Sequence, residues 1–154
     1  MSTNDPIAYF ITWSVYGTHL RGDDAGWRQR RQGNQLPQPR LAEWHRERLN
    51  YKILFLSTDQ RQAVELECRR HCQHRGWHVW TINARTNHVH AVITAVEHAG
   101  NIVRDQLKAN CTRRLRELST AFRDRPVWAS GGDWQCINDE DKLEAVCFYV
   151  REGQ

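Results

Sequence analysis

No long apolar run interrupts this chain. Nothing in its 154 residues approaches the ~18 consecutive apolar positions that a membrane-spanning helix needs. The opening "MSTNDPIAYFITW" has no basic segment followed by a long apolar block, so no secretory signal is expected and the protein is expected to be cytoplasmic. Cysteine is sparse, and its count of five is odd and scattered, which argues against a disulfide framework. No internal repeat is visible.

What is present suits a globular protein. Hydrophobic residues make up 40% of the chain and seven are tryptophan, enough for a real core in one domain spanning 1–154. The net charge of +4 and a pI near 9.0 favour a polyanionic partner. Much of the positive charge is arginine, in "RQRR" from Arg28 to Arg31, "RR" at Arg69 and Arg70, and "TRRLR" from Thr112 to Arg116. The guanidinium fork matches phosphate oxygens better than an ammonium does. Each cluster also suits a solvated helix face.

The element order follows from periodicity. "AYFITWSVY" (Ala8 to Tyr16) reads as a strand. Gly17 to about Arg40 is rich in glycine, proline and glutamine and reads as an insertion, with 17–50 as a loop region. "LAEWHRERL" suggests a short helix and "KILFL" (Lys52 to Leu56) a small strand. "STDQ" has the S-x-x-Q capping-box form and opens a helix that Gly76 should end. "WHVWTINA" and "HVHAVITA" read as two strands joined at "RTN". A second helix follows, with Ile102, Leu107, Cys111, Leu115 and Leu118 near one face. "PVWA" suggests the final strand and "SGGDW" a turn. The last helix is expected to be capped by Asn138, with acidic residues in its first turn. Without the insertion, this order is the ferredoxin-like split βαβ pattern: an α+β fold with an antiparallel sheet, helices on one face, and an extra C-terminal helix.

One stretch carries the chemistry. In "NARTNHVHAVITA" (Asn83 to Ala95) two histidines flank a single valine. Along a strand, residues two apart share a face. Val89, Ala91, Ile93 and Ala95 then form an apolar face, and His88, His90, Val92 and Thr94 the opposite one. Two adjacent imidazoles suit a borderline divalent metal, though a third donor must come from elsewhere. On the last helix, Leu143, Val146, Cys147 and Val150 form the buried stripe, with Tyr149 at its edge. An edge tyrosine suits ordinary packing, or presents its hydroxyl to the sheet. A phenol with a pKa near 10 needs metal charge or a proton acceptor to become a nucleophile.

Taken together, "NHVHAVI", "VW" (Val127 and Trp128) and "DEDKLEAVCFYVREGQ" resemble the insertion-sequence-200-like transposases. More narrowly, they resemble the REP-associated tyrosine transposases, which are HUH enzymes with one catalytic tyrosine. "YFITWSVYGTHLRGDDAGW" and "HRGWHVWTINARTNHVH" fit the same family, so the resemblance spans essentially the whole chain. It implies that His88 and His90 bind Mg²⁺ or Mn²⁺ and that Tyr149 attacks a phosphodiester of single-stranded DNA. The products would be a 5′-phosphotyrosine and a free 3′-hydroxyl. It also implies a homodimer acting on hairpin-bearing ends. The family's third ligand, Gln or Asn, falls one turn after the tyrosine, where this chain has Gly153; Gln154 is the preferred substitute and Glu152 its rival.

Arg85 and Asn87 are candidate DNA contacts at the rim of the site. Lys108, Arg113 and Arg114 on the second helix are further candidates, as are Arg28, Arg30 and Arg31 in the insertion. Cys68, His71, Cys72, His74 and His78 invite a zinc reading, but Cys68 and Cys72 join Val64 on an apolar stripe and read better as core. The rival function is a non-catalytic, domesticated nucleic-acid-binding module on the same frame. An RRM-like RNA binder fits less well, because the central strand presents histidines rather than aromatics.

Overall fold

The computed structural model describes residues 5–18, 27–29, 33–35 and 39–152. Strand β1 (Ala8–Ser14) comes first. In the insertion, β2 (Trp27–Gln29) pairs with β3 (Gly33–Gln35) as a small antiparallel ribbon, and helix α1 (Pro39–Glu47) follows. The rest is α2 (Thr58–Arg75), β4 (His78–Ala84), β5 (His88–Thr94), α3 (Gly100–Leu118), β6 (Asp133–Ile137) and α4 (Glu140–Glu152).

The main sheet runs in the order β4-β5-β1-β6, and all of its pairings are antiparallel. Without the insertion, this is the ferredoxin-like arrangement expected from the element order. The two connections that skip a strand carry α2 and α3, which pack on one face of the sheet. Their shared core holds Ile11, Trp13, Val89, Ala91 and Ile93 from the strands, with Val64, Cys68, Val103, Leu107 and Leu115 from the helices. Burying each valine, leucine or isoleucine among them contributes about 1.5–3 kcal/mol. Among the described residues, the helix that packs on the opposite face is α4. There Cys147 and Val150 pack against Ala8, Val92 and Ile137, with Leu143 and Val146 partly buried beside them.

Local chemistry sets the boundaries. Ser57 accepts from the Gln60 N–H, and the Gln60 side chain accepts from the Ser57 N–H, closing the capping box of α2. Gly76 ends that helix in the left-handed region at φ 74.

Several expectations need correction. "KILFL" forms no strand: it runs irregularly, tied by the Leu56 N–H to the Thr86 carbonyl at 2.8 Å. "PVWA" forms only a single bridge, Val15 to Trp128, and the last strand is Asp133–Ile137 instead. The reason is its alternation. Trp134 and Cys136 pack towards the α2–α3 core, while Ile137 faces α4. The buried stripe of α3 runs Val103, Leu107, Cys111, Leu115, and Ile102 and Leu118 are exposed. Asp139, not Asn138, caps α4: its carboxylate accepts from the Lys142 N–H at 2.8 Å.

One buried carboxylate locks the helical layer. The Glu67 side chain on α2, buried to 6% exposure, receives Arg70 at 2.8 Å and Arg113 of α3 at 2.9 Å. Burial pushes its carboxyl up, but the hydrogen bonds and charges of Arg70 and Arg113 outweigh this and hold it below its ordinary pKa. A lowered folded pKa means that the stabilisation is present above the unfolded value, near 4.3, and is lost as pH falls through the folded value. Glu67→Gln is expected to lower stability at neutral pH by about 1–3 kcal/mol. In urea denaturation series, the gap to wild type should close in acid; a gap unchanged between neutral pH and acid would exclude the carboxylate as its source.

Candidate active site

β5 is an interior strand, paired with β4 on one side and β1 on the other. Its alternation places Val89, Ala91 and Ile93 in the α2–α3 core and turns His88 and His90 to the face that α4 covers. The two imidazole rings lie 4.4 Å apart between centroids, nearly perpendicular. Opposite them on β1 stand Ser14 and Thr12, in register with His88 and His90.

Neighbours hold both rings. His90 is buried and stacks on Phe10 of β1, with centroids 5.7 Å apart and planes 19° from parallel. The Thr12 hydroxyl lies 3.1 Å from His90 Nδ1. His88 Nδ1 lies 2.6 Å from the Asn87 side-chain oxygen. An amide oxygen only accepts, so Nδ1 of His88 is the donor in this contact. Asn87 is itself fixed, its carbonyl accepting from the Val15 N–H at 2.8 Å and the Thr18 hydroxyl at 3.2 Å. Outer partners of this kind set the tautomer and aim of a ligating histidine.

Helix α4 brings the Tyr149 ring beside His90. The Tyr149 ring meets His90 edge-on at 6.0 Å between centroids and Phe10 at 6.3 Å. Tyr149 remains 46% exposed, so a substrate can reach it. The helix cannot slide freely, because Asn83 of β4 donates to the Val150 carbonyl at 2.9 Å and Val150 is fully buried. The structure thus sets the Tyr149 ring beside His90, the more buried of the two strand histidines.

The remaining candidates divide. Asn87 lies at the site and contacts His88. Arg85 lies in the same turn, where its N–H donates to the His88 carbonyl at 2.7 Å, and its Nε is buried with no hydrogen-bond partner among the described residues. Lys108, Arg113 and Arg114 are on α3, across the sheet from the histidines. The Lys108 ammonium donates to the Ala129 and Gly131 carbonyls at 3.0 and 2.7 Å. These two bonds clamp that loop to α3; burial, then the nearby Arg104, lowers the lysine's pKa. Arg113 is engaged with Glu67 and Arg114 with Glu117. Arg28 lies on β2, while Arg30, Arg31 and Gln154 lie outside the described residues.

Among the described residues, no three histidine, cysteine or acidic side chains come together as a metal-binding group, so Glu152 does not join the histidine pair. Two imidazole nitrogens suit borderline ions best, while Mn²⁺ and Mg²⁺ both favour oxygen, so either of these would need oxygen donors beyond the histidine pair. The cysteines of the zinc reading belong to the core. Cys68 and Cys72 are fully buried, with Cys68 Sγ 3.4 Å from Cys111 Sγ, and burial pushes the Cys72 thiol up to about 12.

Sequence reasoning missed Phe10, Thr12 and Asn83. The alternation of "AYFITWS" puts Phe10 and Thr12 on one face, but only the β1–β5 register sets them beside the histidines.

No family model matches the chain, and no curated protein does. Among solved structures, the fold is similar to a Deinococcus radiodurans protein designated a candidate transposase, with a TM-score of 0.50 and 12% identity over 95% of this chain and 89% of that one. At that identity, what the two chains share is the fold.

Proposed function

We propose that this chain is a transposase-like enzyme that cuts and rejoins single-stranded DNA through Tyr149. The observation that carries this reading is the meeting of three rings: His88 and His90 side by side on β5, with Tyr149 edge-on to His90 from α4. The designation of the Deinococcus fold relative is in keeping with it.

In this mechanism the Tyr149 hydroxyl attacks phosphorus as the P–O3′ bond breaks. The electron pair leaves with the 3′ oxygen, which takes up a proton; the phenol proton passes to solvent. The products are a 5′-phosphotyrosine and a free 3′-hydroxyl, and attack by another 3′-hydroxyl reverses the step and joins strands. His88 and His90 would hold Mn²⁺ or Mg²⁺, with Gln154 a candidate third ligand; when bound, such an ion supplies positive charge to the phosphodiester. Asn87 and Thr12 keep the imidazoles oriented. Phe10 and the apolar underside of α4 exclude water beneath the tyrosine. A homodimer acting on hairpin-bearing ends completes the reading.

The test is direct. Incubate the protein with hairpin-bearing single-stranded DNA and Mg²⁺ or Mn²⁺, then run a denaturing gel. A protein–DNA band that survives denaturation is expected. Tight binding without such a band, under either metal, would refute the catalytic reading and leave a domesticated nucleic-acid-binding module.

A further inference from the structure

Beyond the end of β1 lies a cluster that the catalytic reading does not use. Tyr16 follows this strand, and Tyr51 follows α1. Their rings meet edge-on at 6.0 Å between centroids. The Arg125 guanidinium sits over both, 5.4 Å from the Tyr16 ring and 5.5 Å from the Tyr51 ring. Arg125 also donates to the Lys52 carbonyl, and the Asn50 N–H donates to the Tyr16 hydroxyl at 3.0 Å, so the segment after α1 is fastened to the end of β1. Just past the end of α1, Arg48 lies over the ring of Trp44 on that helix at 3.9 Å.

Two properties set this patch apart from core packing. Its outer ring is open to solvent, with Tyr51 at 43% exposed, and Trp44 at 49% and Phe55 at 59% are exposed aromatics close by in the sequence. Positive charge lies directly against these rings, Arg125 over the two tyrosines and Arg48 over Trp44. Exposed π faces among guanidinium and ammonium groups stack unpaired bases and neutralise phosphates. A regular duplex, whose bases are already stacked, offers no such face. Location adds to this. Val15 donates to the Asn87 carbonyl, so the patch begins at the sheet end where Asn87 holds His88.

We propose that Tyr51, Tyr16 and Arg125 form a platform that binds single-stranded DNA flanking the phosphodiester presented to Tyr149. The proposal rests on the single-strand reading above and adds a site to it. Tyr51 supplies the open stacking face, Arg125 stiffens it and contributes charge, and Tyr16 fixes the platform to β1.

The experiment is fluorescence anisotropy with labelled poly(dT), in a Tyr149→Phe background and in EDTA, so that neither cutting nor metal binding enters. Tyr51→Leu is expected to weaken binding about five-fold or more, and Tyr51→Trp to restore it, since loss of a stacked base costs roughly that much. Arg125→Gln should flatten the salt dependence by about one phosphate contact. Circular dichroism melts of the Tyr51→Leu protein establish that it is folded. Affinity within about two-fold of the parent for folded Tyr51→Leu overturns the platform, as does poly(dT) binding no tighter than duplex DNA. Either result leaves the adduct band on the denaturing gel untouched, so failure here and failure of the catalytic reading are told apart.

Discussion

Tyr149→Phe is expected to abolish the covalent protein–DNA band while leaving the fold intact. The change deletes one oxygen and nothing else. The ring that meets His90 and Phe10 edge-on is kept, so both aromatic contacts survive. The side chain is 46% exposed, and α4 is anchored by Cys147, Val150 and the Asn83 hydrogen bond rather than by the phenol. Stability should therefore shift by no more than roughly 0.5 kcal/mol. DNA affinity should also be nearly unchanged, because the loss falls on the bond-forming atom and not on binding surface. The outcome that would sink the assignment is a band of undiminished intensity in the variant. Mass spectrometry of the linked peptide would then name the true nucleophile; Tyr16 and Tyr51 are the half-exposed and exposed alternatives.

Gly132→Ala is expected to be the most destabilising change in the loop before β6. Gly132 adopts φ +121, a region that side chains rarely enter, and a Cβ there would lie 2.6 Å from the Thr12 carbonyl oxygen and 3.1 Å from the Trp13 side chain. The obstruction is backbone of the central strand, which cannot swing away. A cost of about 2–4 kcal/mol follows, or a drop in Tm of roughly 5–15 °C for a domain of this size. Gly131→Ala is the matched control. Its φ is +72, but its Cβ would meet nothing within 4 Å, so only the backbone penalty of roughly 1 kcal/mol applies. Equal melting temperatures for the two variants would show that the contact with Thr12 is not felt.

Strand β5 shows why so much of the site was legible in the sequence. A period of two is a local property, and it alone separated His88 and His90 from Val89, Ala91 and Ile93. The stripe of α4, and hence the edge position of Tyr149, is likewise local. β6 was not legible, because "DWQCI" follows two glycines and opens with an aspartate, so its turn signals masked a short alternation. Register between strands is non-local, which is why Phe10 and Thr12 could not be assigned to His90 beforehand. Lys108 shows a third limit: a lysine on a helix face reads as solvated until the carbonyls of Ala129 and Gly131 are found around it. Burial of Cys68 and Cys72 followed from the apolar stripe they share with Val64.

That stripe gives the molecule an internal clock. Cys68, Cys72 and Cys111 sit wholly enclosed between α2 and α3, so an alkylating reagent meets their sulfur atoms only when the two helices part. The pace of their modification therefore times the breathing of one layer of the protein, separately from events on the opposite side of the sheet, where Tyr149 lies.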